Sequence, residues 1–244
     1  MKKLLLLLLC TISVGLFAQD NTLTDKEKKQ GWKLLFDGKT TTGWKGAFID
    51  KFPDKGWSID GGTISVDASE GKESTNGGDI VTLDLYDNFE FQADFKLTTG
   101  ANSGIKYFVD PAQTTPKDAR SAIGLEFQVL DDAVHPDAKL GRDGNRTIGS
   151  LYDLIPAASD KKVNPIGEWN TARIISKGKH VEHWLNGKKV LQYERGSDMF
   201  KQLVAMSKYK TIPGFGLVDK GRILLQDHGN KVYYKNIKVR VLKP

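Results

Sequence analysis

In the stretch "NFEFQADFKL", Phe89, Phe91, Ala93, Phe95 and Leu97 alternate with Glu90, Gln92, Asp94 and Lys96. Strict alternation places one face on a core and the other toward water, as in an antiparallel sheet. Further strand patterns are "WKLLF", "WSIDGGTISVD", "DIVTLDLY", "GIKYFVD", "GLEFQVL", "TIGSLYDL", "NTARIISKG", "HVEHWLNGKKVLQYE", "RILLQDHG" and "KVYYKNIKVRVL". Asn186-Gly187, between two apolar runs, predicts a two-residue hairpin turn, because both turn positions need positive φ. Gly229-Asn230 predicts a second tight turn. One segment, "SDMFKQLVAMSKY", reads as a helix, with Ser197 as its cap and Phe200, Leu203, Val204 and Met206 forming an apolar stripe. Many short strands, Gly-rich turns and one short helix predict an all-β sandwich. With neither a repeat nor an internal linker, the chain divides into residues 1–18, a polar lead-in over 19–30, and one domain over 31–244.

The first segment, "MKKLLLLLLCTISVGLFAQD", has two lysines, a short apolar run and small residues before Gln19. That is the pattern of a secretory signal peptide rather than a membrane span, with cleavage expected after Ala18. It predicts export, to the periplasm, and no membrane span in the mature chain. Leu9 stands where a lipoprotein signal wants a small residue, so Cys10 is expected to leave with the signal. Cys10 is also the single cysteine, so the mature domain has no disulfide and depends on its core. The formal charge of +6 falls to +4 once Lys2 and Lys3 are removed. The basic residues are scattered rather than clustered with aromatics, which argues against a nucleic-acid partner.

Alternation also sorts the polar residues by face. In "GLEFQVLDDAVHPD", Leu125, Phe127 and Val129 point inward, placing Glu126 and Gln128 outward; Asp131, Asp132 and His135 follow at the strand end. Ala172 and Ile174 inward send Arg173 outward. Ile223 and Leu225 inward send Gln226 and His228 outward. His183 shares a face with Val181 and Leu185, and Glu182 shares one with Trp184, so "VEHWLNG" stays ambiguous. If these strands are neighbours, Glu126, Gln128, Arg173, Gln226 and His228 gather on one concave face, with Asp131, Asp132, His135 and His183 near its rim. The same outward polar residues also suit plain cross-strand pairing. Oxygen ligands on Asp131, Asp132, Glu126 and Gln128 would suit a divalent metal ion such as Ca²⁺, and added imidazole would suit Zn²⁺ or Mn²⁺. No HExxH, paired-Cys or EF-hand spacing supports that site. Trp44, Trp57, Trp169 and Trp184 could be core anchors or could stack on the apolar face of a sugar.

The motifs "GWKLLFDGKTTTGWKG", "NSGIKYF", "GLEFQVLDDAVHPD", "GSLYDLIP", "GEWNTARI", "VEHWLNGKKV" and "ILLQDHGNKVYYKNIKV" occur in order from about Gly31 to the C-terminus. Together they resemble the 3-keto-disaccharide hydrolase family, also described as 3-keto-glucoside 1,2-lyase and 3-keto-2-hydroxy-glucal hydratase. The resemblance implies a concanavalin A-like jelly roll and an exported enzyme acting on an oligosaccharide or 3-keto-glycoside. Two positions depart from the family pattern: Phe108 and Lys235 stand where its members often carry Arg. The implied chemistry is removal of a C2 proton made acidic by the C3 ketone, loss of the C1 substituent, and hydration of the resulting glucal. In that scheme Glu126 or His228 would be the base. Arg173, or a metal near Glu126 and Asp131, would stabilise the enolate. His135 or His183 would donate a proton, and Asn102, Gln128, Trp169 and Gln226 would orient the sugar. A non-catalytic carbohydrate-binding module and an ordinary glycosidase are the alternatives.

Overall fold

The computed structural model describes residues 19–73, 75–110, 112–113 and 122–243. The signal segment over residues 1–18 lies outside the described residues. The strands are β1 (Lys33–Leu34), β2 (Trp44–Gly46), β3 (Trp57–Asp60), β4 (Thr63–Val66), β5 (Ile80–Thr82), β6 (Phe89–Leu97) and β7 (Asn102–Val109). They continue with β8 (Leu125–Leu130), β9 (Trp169–Lys177), β10 (His180–Leu185), β11 (Lys188–Glu194), β12 (Arg222–Leu225) and β13 (Val232–Val241). Helix α1 (Asp25–Lys29) lies in the lead-in, and α2 (Asp198–Ala205) follows β11.

The strands form two antiparallel sheets. The larger runs β11-β10-β9-β6-β13-β4-β3, with β1 also paired to β13; the smaller runs β2-β5-β12-β7-β8. One apolar core joins them. Phe89, Phe91, Phe95, Ile174 and Tyr234 from the larger sheet meet Ile105, Tyr107, Phe127, Ile223 and Leu225 from the smaller, all essentially solvent-free. The alternation read from the sequence is therefore the alternation between core and outer face. Asn186 (φ +49°) and Gly187 (φ +78°) make the β10–β11 turn. The Ser197 hydroxyl accepts from Phe200 N at 3.2 Å to cap α2.

"TIGSLYDL" is not a strand. It folds as turns, because Gly149 (φ +80°) and Asp153 (φ +61°) break extension. It nonetheless lies along the free edge of β8. Gln128 N donates to Ser150 O, Gly149 N to Gln128 O, and Tyr152 N to Glu126 O, at 2.9–3.1 Å. This satisfies an edge strand that would otherwise expose its backbone. The tryptophans divide. Trp44 and Trp57 are core anchors whose indole N–H groups donate to Leu35 O and Gly78 O. Trp169 and Trp184 lie on the outer face of the larger sheet, each under a cationic side chain.

Candidate active-site cleft on the smaller sheet

The cleft floor is the outer face of β7, β8 and the end of β12. Register places Gly104 opposite Gln128 and Lys106 opposite Glu126, and Gln226 N donates to Gly104 O at 3.0 Å. Asn102, Lys106, Glu126, Gln128 and Gln226 thus share a patch facing away from the core. Gly104 makes room at its centre: a Cβ there would lie 2.3 Å from Glu126 Oε1. Under the floor, Ser103 Oγ donates to Gln226 O and meets the Tyr234 hydroxyl, both at 2.7 Å, tying β7 to β12 and to the opposite sheet.

Loops build the walls. Glu73 comes from the β4–β5 connection, which the buried Asp227 carboxylate holds by accepting from Gly77 N and Gly78 N, while it also accepts from Gly229 N in its own turn. Gln226 Nε2 donates to Glu73 Oε1 at 3.1 Å, and His228 Nε2 lies 4.0 Å from Glu73 Oε2. Tyr152 comes from the segment along β8. Lys208 follows α2; its backbone N–H donates to Asp153 Oδ2 at 2.8 Å and its ammonium lies 4.2 Å over the Tyr152 ring. Asp153 also accepts from Arg146 Nε at 2.7 Å, so one carboxylate fixes both loops.

The cleft has two ends that share Glu73, Glu126, Lys208 and Gln226. The narrower, about 70 Å³, adds Asn102, Gln128, Tyr152 and His228. The wider, about 220 Å³, adds Lys106, Ala122, Ile123, Gly124, Tyr209 and Ile212. Among the described residues Asn102 Oδ1, Gln128 Oε1 and His228 Nδ1 are buried without a hydrogen-bond partner, and all three belong to the narrow end. Buried polar atoms are nearly always satisfied, so a cluster of exceptions in one recess marks a place for a polar ligand.

Glu126 is 5% exposed. Among the described residues no donor is hydrogen-bonded to its carboxylate. Desolvation dominates and raises its pKa above the usual carboxylate range, while Lys106 and Lys208 partly oppose the shift. Lys208 is exposed as a residue, yet packing around its ammonium lowers its pKa, with Glu126 acting in the opposite sense. His135 Nδ1 accepts from Asp137 N at 3.2 Å, so the neutral ring carries its proton on Nε2. Its ring meets the His228 ring edge-to-face at 5.9 Å, and burial followed by His228 lowers its pKa.

Of the residues expected on one face, Glu126, Gln128, Gln226 and His228 do come together, with Asn102 beside them and His135 at the rim. They do not lie on an open groove: Glu126 and Gln128 are buried, because the flanking loops close over the strand. Arg173 lies elsewhere. Its strand β9 belongs to the larger sheet, where Arg173 pairs with Glu90 at 2.6 Å and covers Trp184. Trp169, also on β9, is likewise outside the cleft. His183 is in the core, donating from Nδ1 to Gly149 O and accepting at Nε2 from the Tyr107 hydroxyl, with its pKa pushed down to about 4 by burial. Asp131 and Asp132 do not fit a metal site. Asp131 accepts from Gly100 N and Ala133 N, and Asp132 accepts from Ile148 N and pairs with Lys161. Among the described residues no group of three or more His, Cys, Asp or Glu is arranged around a metal position. Phe108 (φ +52°) lies in the core under the Arg195 guanidinium, and Lys235 pairs with Asp20 over Trp169.

Sequence reasoning missed Glu73, Lys106, Tyr152, Lys208 and Tyr209. Lys106 was within reach of the alternation argument, since Ile105 and Tyr107 point inward. Tyr152 falls in a segment read as a strand, and Lys208 and Tyr209 in one read as a helix, yet all three stand on turns, and Glu73 stands on a loop where no periodicity announces a direction.

Fold and cleft together define a concanavalin A-like jelly roll with a closed polar recess on its smaller sheet. Residues 31–240 match the model of the 3-keto-alpha-glucoside-1,2-lyase-like domain, and the chain belongs to that family. It is 38% identical over 230 residues to the 3-keto-disaccharide hydrolase of Bacteroides thetaiotaomicron, covering 87% of this chain and 79% of that protein. A crystal structure described as a glycosyl hydrolase from Parabacteroides distasonis is similar at a TM-score of 0.78 and 33% identity, covering 92% of this chain and all of that one. A second glycosyl hydrolase structure from the same organism gives 0.59 and 28%, covering 86% and 99%. The family resemblance and the jelly roll expected from the sequence are both present.

Proposed function

We propose that this chain is an exported, periplasmic enzyme that cleaves 3-keto-glycosides by elimination and hydration. The observation that carries the reading is the buried Glu126 carboxylate, raised in pKa, beside the partnerless atoms of Asn102, Gln128 and His228. Sugar hydroxyls satisfy such atoms, and a base whose pKa rises toward the working pH removes a carbon-bound proton more effectively. The family match and the hydrolase relatives support the same substrate class.

The C3 ketone acidifies the C2 proton. Glu126 takes that proton, electron density moves onto the C3 oxygen, and the Lys208 ammonium at the junction stabilises the enolate. The enolate reforms the ketone as the C1–O bond breaks and a C1–C2 double bond forms; the proton held by Glu126 returns to the departing oxygen. Water then adds across the double bond, its hydroxyl to C1 and its proton to C2, for net hydrolysis. Asn102, Gln128, Gln226 and His228 hold the ring, and His135 orients His228.

The test is release of a chromophore from a 3-keto-glucoside, with the unoxidised glucoside as control. Release confined to the keto substrate, and reduced about 10²-fold or more in Glu126→Gln, is expected. Equal cleavage of both substrates would point to an ordinary glycosidase. Localisation is checked by fractionating cells that express the full chain.

A further inference from the structure

We infer that the narrow end of the cleft is a water site: His228 Nδ1, Asn102 Oδ1 and Gln128 Oε1 hold the water that adds to C1, while the sugar ring lies in the wider end. The inference rests on reading the cleft as a 3-keto-glycoside site, and it deepens that reading by giving the hydration step its own residues.

Size and chemistry both favour water. At about 70 Å³ the narrow end has room for a few waters and is far below the ~300 Å³ at which pockets for small molecules begin. Its three partnerless buried atoms are all acceptors. His228 counts among them because its Nε2 faces Glu73 Oε2 at 4.0 Å, which keeps the ring proton on Nε2 and the lone pair on Nδ1. The Gln226 amide, which could have donated to them, donates to Glu73 instead. Three acceptors around a small recess call for a small donor. Water brings two O–H donors on one oxygen, whereas a ring needs space the recess does not have.

Glu126 lines both ends. A ring in the wider end whose C2 proton reaches Glu126 has C1 one bond away, at the mouth of the recess. After elimination Glu126 is ionised again, having returned its proton to the departing oxygen. A water in the recess then donates one O–H to Glu126 and the other to His228 Nδ1 or an amide oxygen, leaving a lone pair on its oxygen for C1. As the C1–O bond forms, the water's proton passes to Glu126 and the electron pair of the C1–C2 double bond moves through to the C3 oxygen. Glu126 gives that proton to C2 as the enolate reverts to the ketone. One hydroxyl and one proton are added, and no other reagent is consumed. His228, Asn102 and Gln128 are positioning residues in this step, and their hold on the ring runs through the water.

The test separates the two steps. Chromophore release from a 3-keto-glucoside reports elimination, and the 3-keto-2-hydroxy-glucal, a conjugated enone, is followed by its ultraviolet absorbance. In His228→Leu and in Gln128→Leu the ratio of free glucal to hydrated sugar is expected to rise about tenfold or more over wild type, whatever happens to release, because a displaced water meets C1 poorly. Hydration started from the glucal itself is expected to fall by a similar factor. Release and hydration that decline in parallel, with the ratio within about twofold of wild type, would overturn the water site. A crystal of the wild-type protein with an unoxidised glucoside bound reads the recess without any variant. A water within hydrogen-bond reach of His228 Nδ1 is expected there, and a ring hydroxyl in its place would overturn the assignment. No release from any keto substrate would refute the catalytic reading and this inference with it; release with an unmoved ratio would refute the water site alone.

Discussion

Gly104 on β7 sits diagonally across from Glu126 on β8, its direct partner being Gln128, and a methyl group on Gly104 would lie 2.3 Å from Glu126 Oε1. Gly104 is not at positive φ, so its role is space and not backbone freedom. Gly104→Ala must push the carboxylate off its position over the floor. A misplacement of about 1 Å at a reacting group costs on the order of 10²-fold in rate. Loss of kcat of that size, with a melting temperature within a few degrees of wild type, is the expected outcome of paired kinetic and thermal measurements.

Glu126 also sets a pH signature. Its pKa is raised in the folded protein, so the folded state binds more protons than the unfolded one between the ordinary carboxylate pKa and the raised value. Stability therefore falls as pH rises through that window. On the proposed role of Glu126 as the base, activity moves the other way, because a base works only when deprotonated. Urea titrations across the acid range should show the stability of wild type falling relative to that of Glu126→Gln as pH rises through that window, the difference between the two curves isolating Glu126 from the other titrating groups.

His183 gives the opposite slope. It is fully buried, and its pKa is pushed down to about 4 from the ordinary 6.5. The unfolded chain takes up that proton first, so stability present above pH 6.5 is lost as pH falls toward 4. Between pH 7 and pH 5 the loss is on the order of 2 kcal/mol. Replacing His183 and Tyr107 together with Phe should remove that slope, read from denaturation at the two pH values.

Asp227 holds the loop that delivers Glu73 by accepting from Gly77 N and Gly78 N, and holds its own turn by accepting from Gly229 N. Asp227→Ala strands those donors. At about 1 kcal/mol each, some 3 kcal/mol of stability is expected to go. The accompanying change should be a raised KM, because Glu73 orients Gln226 at the shared centre of the cleft.

Arg173→Ala is the contrasting case. Glu90 keeps Arg240 as a partner, and the change lies on the outer face of the opposite sheet. Turnover within about twofold of wild type is expected, since outer-face substitutions away from a site are usually small in effect.

The difference between Arg173 and Gln226 explains how far the sequence could be read. Both alternate correctly with buried neighbours, and both point outward. Alternation is a local rule, and it says nothing about which sheet a strand joins. That choice is made by pairings such as β9 with β6, about 80 residues apart in the chain. His183 shows the same limit from the other side: sharing a face with Val181 and Leu185 was a correct reading of burial, and only the core position shows that its nitrogens are spent on Tyr107 and Gly149. Glu73 and Lys208 enter from loops held by single carboxylates, Asp227 and Asp153, and such tethers have no sequence period. The family motifs carried more than the periodicity did, because "NSGIKYF" and "GLEFQVLDD" contain the floor of the cleft.

The hydrogen bond between Ser103 and Tyr234 sets an order of events. Tyr234 belongs to β13, the last strand made, which sits between β6 and β4 in the larger sheet. Until that strand docks, β6 and β4 lack a shared neighbour and the β7–β12 junction under the cleft has no prop from the opposite sheet. A nascent chain can therefore already carry Glu73, Lys106, Glu126, Lys208 and Gln226 and still lack the propped recess they line, so formation of the cleft reports completion of the whole sandwich.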